Sequence, residues 1–440
     1  MKKTLIAFAV AAAFASAASA ASFKAGTYTA TAPGIHGDVT VEVTFTADKL
    51  ADIKVTKQSE TVGIGSKAVE LLPGRMVAAQ SPAVDGVTGA TITTEAIRKA
   101  VSDCVKQAGV DPANLVPLAV KKTGGQKTLE TDMVVVGGGG SGMSATIRGR
   151  MNGMNVILVE KMPYIGGAAA ISGGQVVAQG SKLQKAFGST EDSPESMIKD
   201  FMANGHNLND PAKISLYANN VGATIDWLHE KVGVKFIPND LPFLAEYSHR
   251  RALEFEGGAK TMAQHLREVI AGNGAQVLYS TRVEKLLQDK DGRVIGVEAT
   301  DDNGVKYTIK SKATLLTTGG FGNNKDMLVE PIKSTLYYGP VSSTGDGHRM
   351  AMELGAKTQL MQYGKRYPNG IEVAPGKAKS PIYANVGAFD QAGILVNIDG
   401  KRFVNEKASN RHILDAPERQ RPRLRLHGPE VLGRLLQAPA

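Results

Sequence analysis

A 440-residue chain with one cysteine and a formal net charge of +9 leaves several protein classes out from the start. Cys104 alone closes no internal disulfide, attaches no haem through C-x-x-C-H and builds no cysteine-ligated iron–sulfur cluster. The charge is no nucleic-acid footprint either. Lys2 and Lys3 supply +2, five arginines against Glu418 and Glu430 supply +3 in residues 418–440, and the remaining +4 is spread thinly over the rest.

The chain opens MKKTLIAFAVAAAFASAASA, with a positive start, an apolar run from Leu5 to Phe14 and small residues at Ala18-Ser19-Ala20. This predicts a secretory signal peptide over 1–20 and a soluble, exported, periplasmic product; an uncleaved anchor is the alternative. The apolar run is too short to span a bilayer as a helix.

Residues 22–108 form a first unit. GTYTATA (26–32), DVTVEVTFTA (38–47) and LADIKVTKQ (50–58) alternate apolar and polar residues and predict strands. The stretch DGVTGATITT (85–94) precedes a predicted helix around Glu95–Ala108, which Thr93 or Thr94 would cap. Cys104 shares the apolar side of that helix with Ile97, Ala100, Val101 and Ala108, and reads as a small core residue rather than a reactive thiol. Residues 109–128, with two prolines and a glycine pair, predict a linker.

The second unit begins TDMVVVGGGGSGMSATIRGRMNGMNVILVEK. A buried strand at Met133–Val136 leads into Gly137, Gly139 and Gly142 in G-x-G-x-x-G spacing. A helix then carries on to Met151, and a second strand over Asn155–Val159 ends at Glu160. The acid eighteen residues after the last glycine makes this a dinucleotide fingerprint. Gly137 permits the tight turn, Gly139 lets backbone approach a pyrophosphate, and Gly142 lets helix pack on strand. The helix N-terminus faces the phosphates, and Glu160 would accept from both ribose hydroxyls. Ile165-Gly166-Gly167, Ser172-Gly173-Gly174 and the strand end Thr317-Thr318-Gly319-Gly320 supply small residues for close approach to a flavin and favour FAD. Asp291-Gly292 signals a hairpin between later strands. His249 and His348 have no neighbour at metal-ligand spacing and read as ordinary histidines; contact of His348 with flavin or substrate is the alternative.

VVVGGGGSGMSAT, VEKMPYIGG, TTGGFG, TGDGHRMAMELGA (344–356) and GILVNIDGKRFVNE (393–406) together resemble the flavoprotein subunit of the fumarate reductase/succinate dehydrogenase family over about 130–414. Residues 22–108 resemble the small FMN-binding domain of periplasmic flavin reductases and ion- or electron-translocating complexes. That resemblance implies covalent FMN, attached by a flavin transferase to the last threonine of D-G-x-[ST]-G-A-T, here Thr91. Asp85 would bind a metal or orient the acceptor. The fold class implied is α/β: a small α+β FMN-binding domain, then a Rossmann-like FAD-binding domain with an inserted capping domain, cut short. In residue terms these are 22–108, 129–370 and, for the start of the capping/substrate domain, 371–416.

The family resemblance also implies a reaction. Hydride passes from reduced FAD to the carbon β to a carboxylate, and an acid protonates the α carbon. Arg411, after Arg402-Phe403-Val404-Asn405-Glu406, matches the family's arginine acid; by itself it reads as a carboxylate clamp or surface arginine. Tyr367-Pro368-Asn369-Gly370 stands where fumarate reductases carry His-Pro-x-Gly, and Asn385, Val386 and Phe389 replace a Thr-Glu pair and an arginine. With Tyr367 to stack or donate and Asp390 to accept from an imidazole N–H, the departures favour urocanate over fumarate; a core tyrosine and a surface aspartate are the plainer readings. A small unsaturated carboxylate is the expected substrate and a quinol- or cytochrome-type protein the expected electron donor. A chain acting only as an FMN electron carrier is the competing reading. Residues 417–440 contain five arginines and no lysine, and read as a frameshifted or otherwise foreign tail.

Overall fold

The computed structural model describes residues 22–365 except 121, 190, 239–240 and 245, and, beyond these, 371–379, 393–396, 399–406, 408, 412–413 and 415–416. The chain forms two compact units that divide at residue 121.

In the first unit, β1 (Gly26–Pro33), β2 (Asp38–Phe45) and β3 (Leu50–Lys57) form an antiparallel sheet in that order. The alternation in β2 puts Val39, Val41, Val43 and Phe45 on one face, all fully or almost fully buried. Two helices cover that face. One is α1 (Gly65–Ala79), which the sequence reading did not anticipate. Pro73 and Gly74 look like helix breakers, yet Ala68, Leu72, Met76 and Ala79 recur at helical spacing and all four are buried. Packing of that stripe overrides the local cost of the proline.

The other helix, α2, spans Thr91–Gln107 and begins four residues before the predicted start at Glu95. The expected cap by Thr93 or Thr94 is therefore corrected: Ala90 is the capping position and gives no side-chain hydrogen bond. Thr93 and Thr94 lie inside the first turn, buried, with their hydroxyls turned to other partners. Cys104 is fully buried, as the helical pattern indicated, and burial pushes its thiol up to about 11.

The expected linker is partly structured. Leu115 is buried, its carbonyl accepts the Ser81 hydroxyl at 2.6 Å, and Leu118 N–H bonds the Ala79 carbonyl at 2.8 Å. At its other end β4 already begins at Gln126.

The second unit is built on a six-stranded sheet ordered β8-β5-β4-β11-β10-β9. Its strands are β4 (Gln126–Val136), β5 (Val156–Val159), β8 (Gln276–Leu278), β9 (Thr281–Gln288), β10 (Val294–Asp301) and β11 (Lys306–Leu316). The two-stranded β6 (Gln175–Val177) and β7 (Ala252–Glu254) pair separately. β8, β5, β4 and β11 run parallel, and β9 and β10 form the hairpin expected at Asp291-Gly292. Burial of all four residues of β5 follows from covering such a sheet on both faces. Between β4 and β5 runs α3 (Gly140–Met151). Its Met143 and Ile147 share a core with Leu266 and Ile270 of α8 (Gly258–Gly272), and with helices α6 (Pro194–Asn204) and α7 (Pro211–Trp227). Shorter α-helices are α4 (Gly167–Ala170), α5 (Lys182–Ala186) and α9 (Asp346–Glu353). Among the described residues no helix is long and apolar enough to cross a membrane.

Candidate functional site

Parallel strands that end together leave a crevice at their carboxyl ends. Here β4, β5 and β11 end at Val136, Val159 and Leu316, and a cleft of ≈ 610 Å³ opens there. Gly137, Gly139, Glu160, Gly167, Thr318, Gly319 and Gly320 line it, so the structure gathers these predicted residues at one place.

The glycines differ in what they do. Gly137 has φ +101°, and a Cβ there would lie 2.5 Å from the Thr317 carbonyl oxygen. A Cβ on Gly142 would lie 1.9 Å from the Gly137 carbonyl oxygen, so only glycine lets α3 pack on the turn. Gly139, by contrast, faces open space. It precedes α3 and leaves the N-terminal backbone of the helix bare toward the cleft. Gly166 donates its N–H to the Gly138 carbonyl at 2.7 Å, and a Cβ on Gly167 (φ +51°) would lie 3.0 Å from Gly139 Cα. Ser172, Gly173 and Gly174 lie outside the cleft lining. Ser172 Oγ donates to Ala169 O and accepts from Gly174 N–H, closing the turn between α4 and β6.

Glu160 is buried at the end of β5, and its carboxylate does more than the fingerprint indicates. Oε2 accepts from Gly138 N–H and Oε1 from Met162 N–H, each at 2.7 Å. Desolvation by burial raises its pKa, against the lowering effect of these two amides and of Lys161. The acid is thus a brace for the glycine turn as well as an acceptor facing the cleft.

Sequence reasoning missed a charged cluster beside it. Lys161 donates to Thr344 Oγ1 at 2.7 Å and to Asp346 Oδ2 at 2.9 Å, and Arg282 donates to Asp346 Oδ1 at 2.7 Å. Burial pushes the Asp346 carboxyl up, but Lys161 and Arg282 more than offset this and hold it below the usual carboxylate range. Thr344, Asp346 and His348 all belong to TGDGH, a stretch matched to the family in which only His348 was given a candidate role, contact with flavin or substrate. Its available signal was an aspartate at the first position of a helix, behind a glycine of positive φ. His348 lines the cleft, packs edge-on against Phe321 and has a buried Nδ1 with no hydrogen-bond partner among the described residues.

His249 joins a different network. Buried Arg251 forks onto Asp192 at 2.6 and 2.7 Å and also binds Asp200, while His249 Nδ1 lies 3.7 Å from Asp192. Among the described residues no group of three His, Cys, Asp or Glu is placed to hold a metal ion. Arg411, Tyr367 and Asp390 lie outside the described residues.

In the first unit, Thr91 opens α2 with an exposed side chain that makes no hydrogen bond among the described residues. Gly89, at φ +83°, turns the chain just before it. Asp85 is exposed.

The residues fit a flavin dinucleotide. A bare helix N-terminus, an open face over Gly139 and an inward acid line the cleft. The FAD binding domain family matches residues 132–429, and the FMN-binding domain family matches 34–106. Urocanate reductase of Eggerthella lenta is 33% identical over 398 residues, covering 88% of this chain and 65% of that protein. The cytochrome-type fumarate reductase of Shewanella frigidimarina is 33% identical over 309 residues, covering 67% and 52%. Among solved structures, the open conformation of a flavocytochrome c3 fumarate reductase superposes with a TM-score of 0.56 at 30% identity, covering 66% of this chain and 50% of that one.

Fold and cleft define a dinucleotide-binding α/β protein. The chain belongs to the FAD binding domain family, among the fumarate reductase/succinate dehydrogenase flavoproteins, and carries an FMN-binding domain ahead of the FAD domain. It spans 65% and 52% of the lengths of the two relatives named.

Proposed function

We propose that this chain serves a periplasmic, two-flavin reductase that reduces the C=C bond of an unsaturated carboxylate, with urocanate as the preferred substrate. The observation that supports the reading is that one polypeptide carries an exposed threonine at the end of its D-G-x-[ST]-G-A-T stretch and a glycine-lined cleft at the carboxyl ends of its parallel strands. Thr91 takes FMN from a flavin transferase: its Oγ bonds to the FMN phosphorus, the pyrophosphate linkage of FAD breaks, AMP leaves and the hydroxyl proton passes to a base of the transferase. The first unit then receives electrons from a quinol- or cytochrome-type donor.

At the second unit, bound FAD supplies hydride chemistry. The chain's own part is placement and proton delivery. The α3 N-terminus and Gly139 seat the pyrophosphate, and Glu160 accepts from the ribose while bracing the turn. Lys161 and Arg282 hold Asp346, and with it the start of α9, against the cleft. Arg411 delivers a proton to the α carbon, Tyr367 stacks on the substrate ring and Asp390 accepts from the imidazole N–H. Fumarate is the alternative substrate, supported by the fumarate reductases among the relatives.

The test is steady-state oxidation of reduced viologen by the flavin-loaded chain with urocanate, fumarate or methacrylate. Faster oxidation with urocanate supports the reading, and faster oxidation with fumarate replaces the substrate. No oxidation with any enoate, FAD being bound, leaves the chain an FMN carrier.

A further inference from the structure

We propose that Glu60 positions Thr91 for flavin attachment. The inference rests on the reading that Thr91 takes FMN, and it names the residue that makes that threonine the acceptor. Glu60 is only 4% exposed, and its carboxylate joins two segments remote in sequence. Oε1 accepts the Ile35 N–H from the β1–β2 loop at 2.9 Å, and Oε2 accepts the Thr93 hydroxyl from the first turn of α2.

Two glycines make the room. A Cβ on Gly34 would lie 2.1 Å from Glu60 Oε1, and a Cβ on Gly65 would lie 2.8 Å from Thr93 Oγ1 and 2.9 Å from Glu60 Cβ. On the other flank of the turn, Thr94 Oγ1 accepts the Val87 N–H at 3.2 Å. The α2 start is thereby clamped by two buried hydroxyls, while Thr91, two residues before Thr93, is left exposed and free to react. Three hydroxyls within four residues are made unequal in this way. A carboxylate buried against neutral donors costs more than an apolar filler of its size. Its use here is to set where the turn sits.

The test is flavin transfer from FAD to the purified full-length chain by a flavin transferase, followed as in-gel flavin fluorescence, with peptide mass spectrometry locating the adduct. Glu60→Ala and Thr93→Val should each lower kcat for transfer about tenfold or more, with the KM for FAD unchanged. The double variant should be no slower than the slower single one, because both break one contact. Glu60→Gln keeps an acceptor for Ile35 and a donor for Thr93, so it should stay within about threefold of wild type. A wild-type rate in folded Glu60→Ala or Thr93→Val overturns the proposal, as does an equal loss in Glu60→Gln. If Glu60→Ala does not fold, Thr93→Val, which exchanges a hydroxyl for a methyl, decides alone. No adduct on Thr91 of the wild-type chain overturns the flavinylation reading beneath it instead.

Discussion

Glu160 has two oxygens, and the structure commits both to backbone donors, Gly138 N–H and Met162 N–H. Glutamine offers one acceptor and one donor, so Glu160→Gln must leave one of those amides facing an NH₂. It also removes the charge that strengthens a bond from a ribose hydroxyl. FAD affinity should fall about tenfold to a hundredfold, read by titration of flavin fluorescence; unchanged affinity would remove Glu160 from the site. Asp346 gives a prediction with a pH sign. Its folded pKa is depressed, so its stabilisation is complete above the ordinary carboxylate range and is lost as pH falls through the folded value. Asp346→Asn should cost roughly 2–3 kcal/mol at neutral pH, less than a fully buried pair because Lys161 and Arg282 are partly exposed. The difference in thermal stability from wild type should shrink in acid; a pH-independent difference would contradict the pairing. Neither role was legible beforehand. The fingerprint spacing marks Glu160 as a ribose acceptor but cannot show that its oxygens also serve the turn, and Lys161, Arg282 and Asp346 meet only because three distant segments end beside one cleft.

Among the elements, the β4–α3–β5 unit was readable almost residue by residue, since G-x-G-x-x-G and the flanking apolar runs depend on local geometry. Gly142 shows how strict that geometry is. Gly142→Ala places a Cβ 1.9 Å from a backbone oxygen, which no side-chain adjustment relieves. Backbone must shift, at about 1–3 kcal/mol, and the purified variant should retain less FAD than wild type. Full retention would mean that α3 need not pack so closely. The first unit was less legible. The three strands followed from alternation, but α1 went unseen because Pro73 and Gly74 interrupt a stripe whose value appears only on packing against the sheet. The start of α2 was misplaced for a related reason. Threonines ahead of an acid look like caps, whereas here Thr93 and Thr94 spend their hydroxyls on tertiary contacts with Glu60 and Val87. Removing the proposed acceptor leaves that scaffold intact: Thr91→Ala should abolish covalent FMN by mass spectrometry while changing thermal stability little, since its side chain is exposed and makes no hydrogen bond among the described residues.

For the whole molecule, two domains in one chain carry the functional account, an FMN-binding domain over 34–106 and an FAD binding domain over 132–429. Order and type of these units were visible in the sequence because each has a dense local motif. The substrate side was read only through family likeness, and its named residues, Tyr367, Asp390 and Arg411, lie outside the described residues. The central claim is that both flavins serve one reduction. It is tested by reducing the doubly loaded chain with dithionite, removing the excess, and mixing it anaerobically with urocanate while counting product per chain. The account predicts two product molecules per wild-type chain and one for Thr91→Ala, each flavin yielding one electron pair. A wild-type chain that holds both reduced flavins and forms no product, or forms only as much as Thr91→Ala, would contradict it.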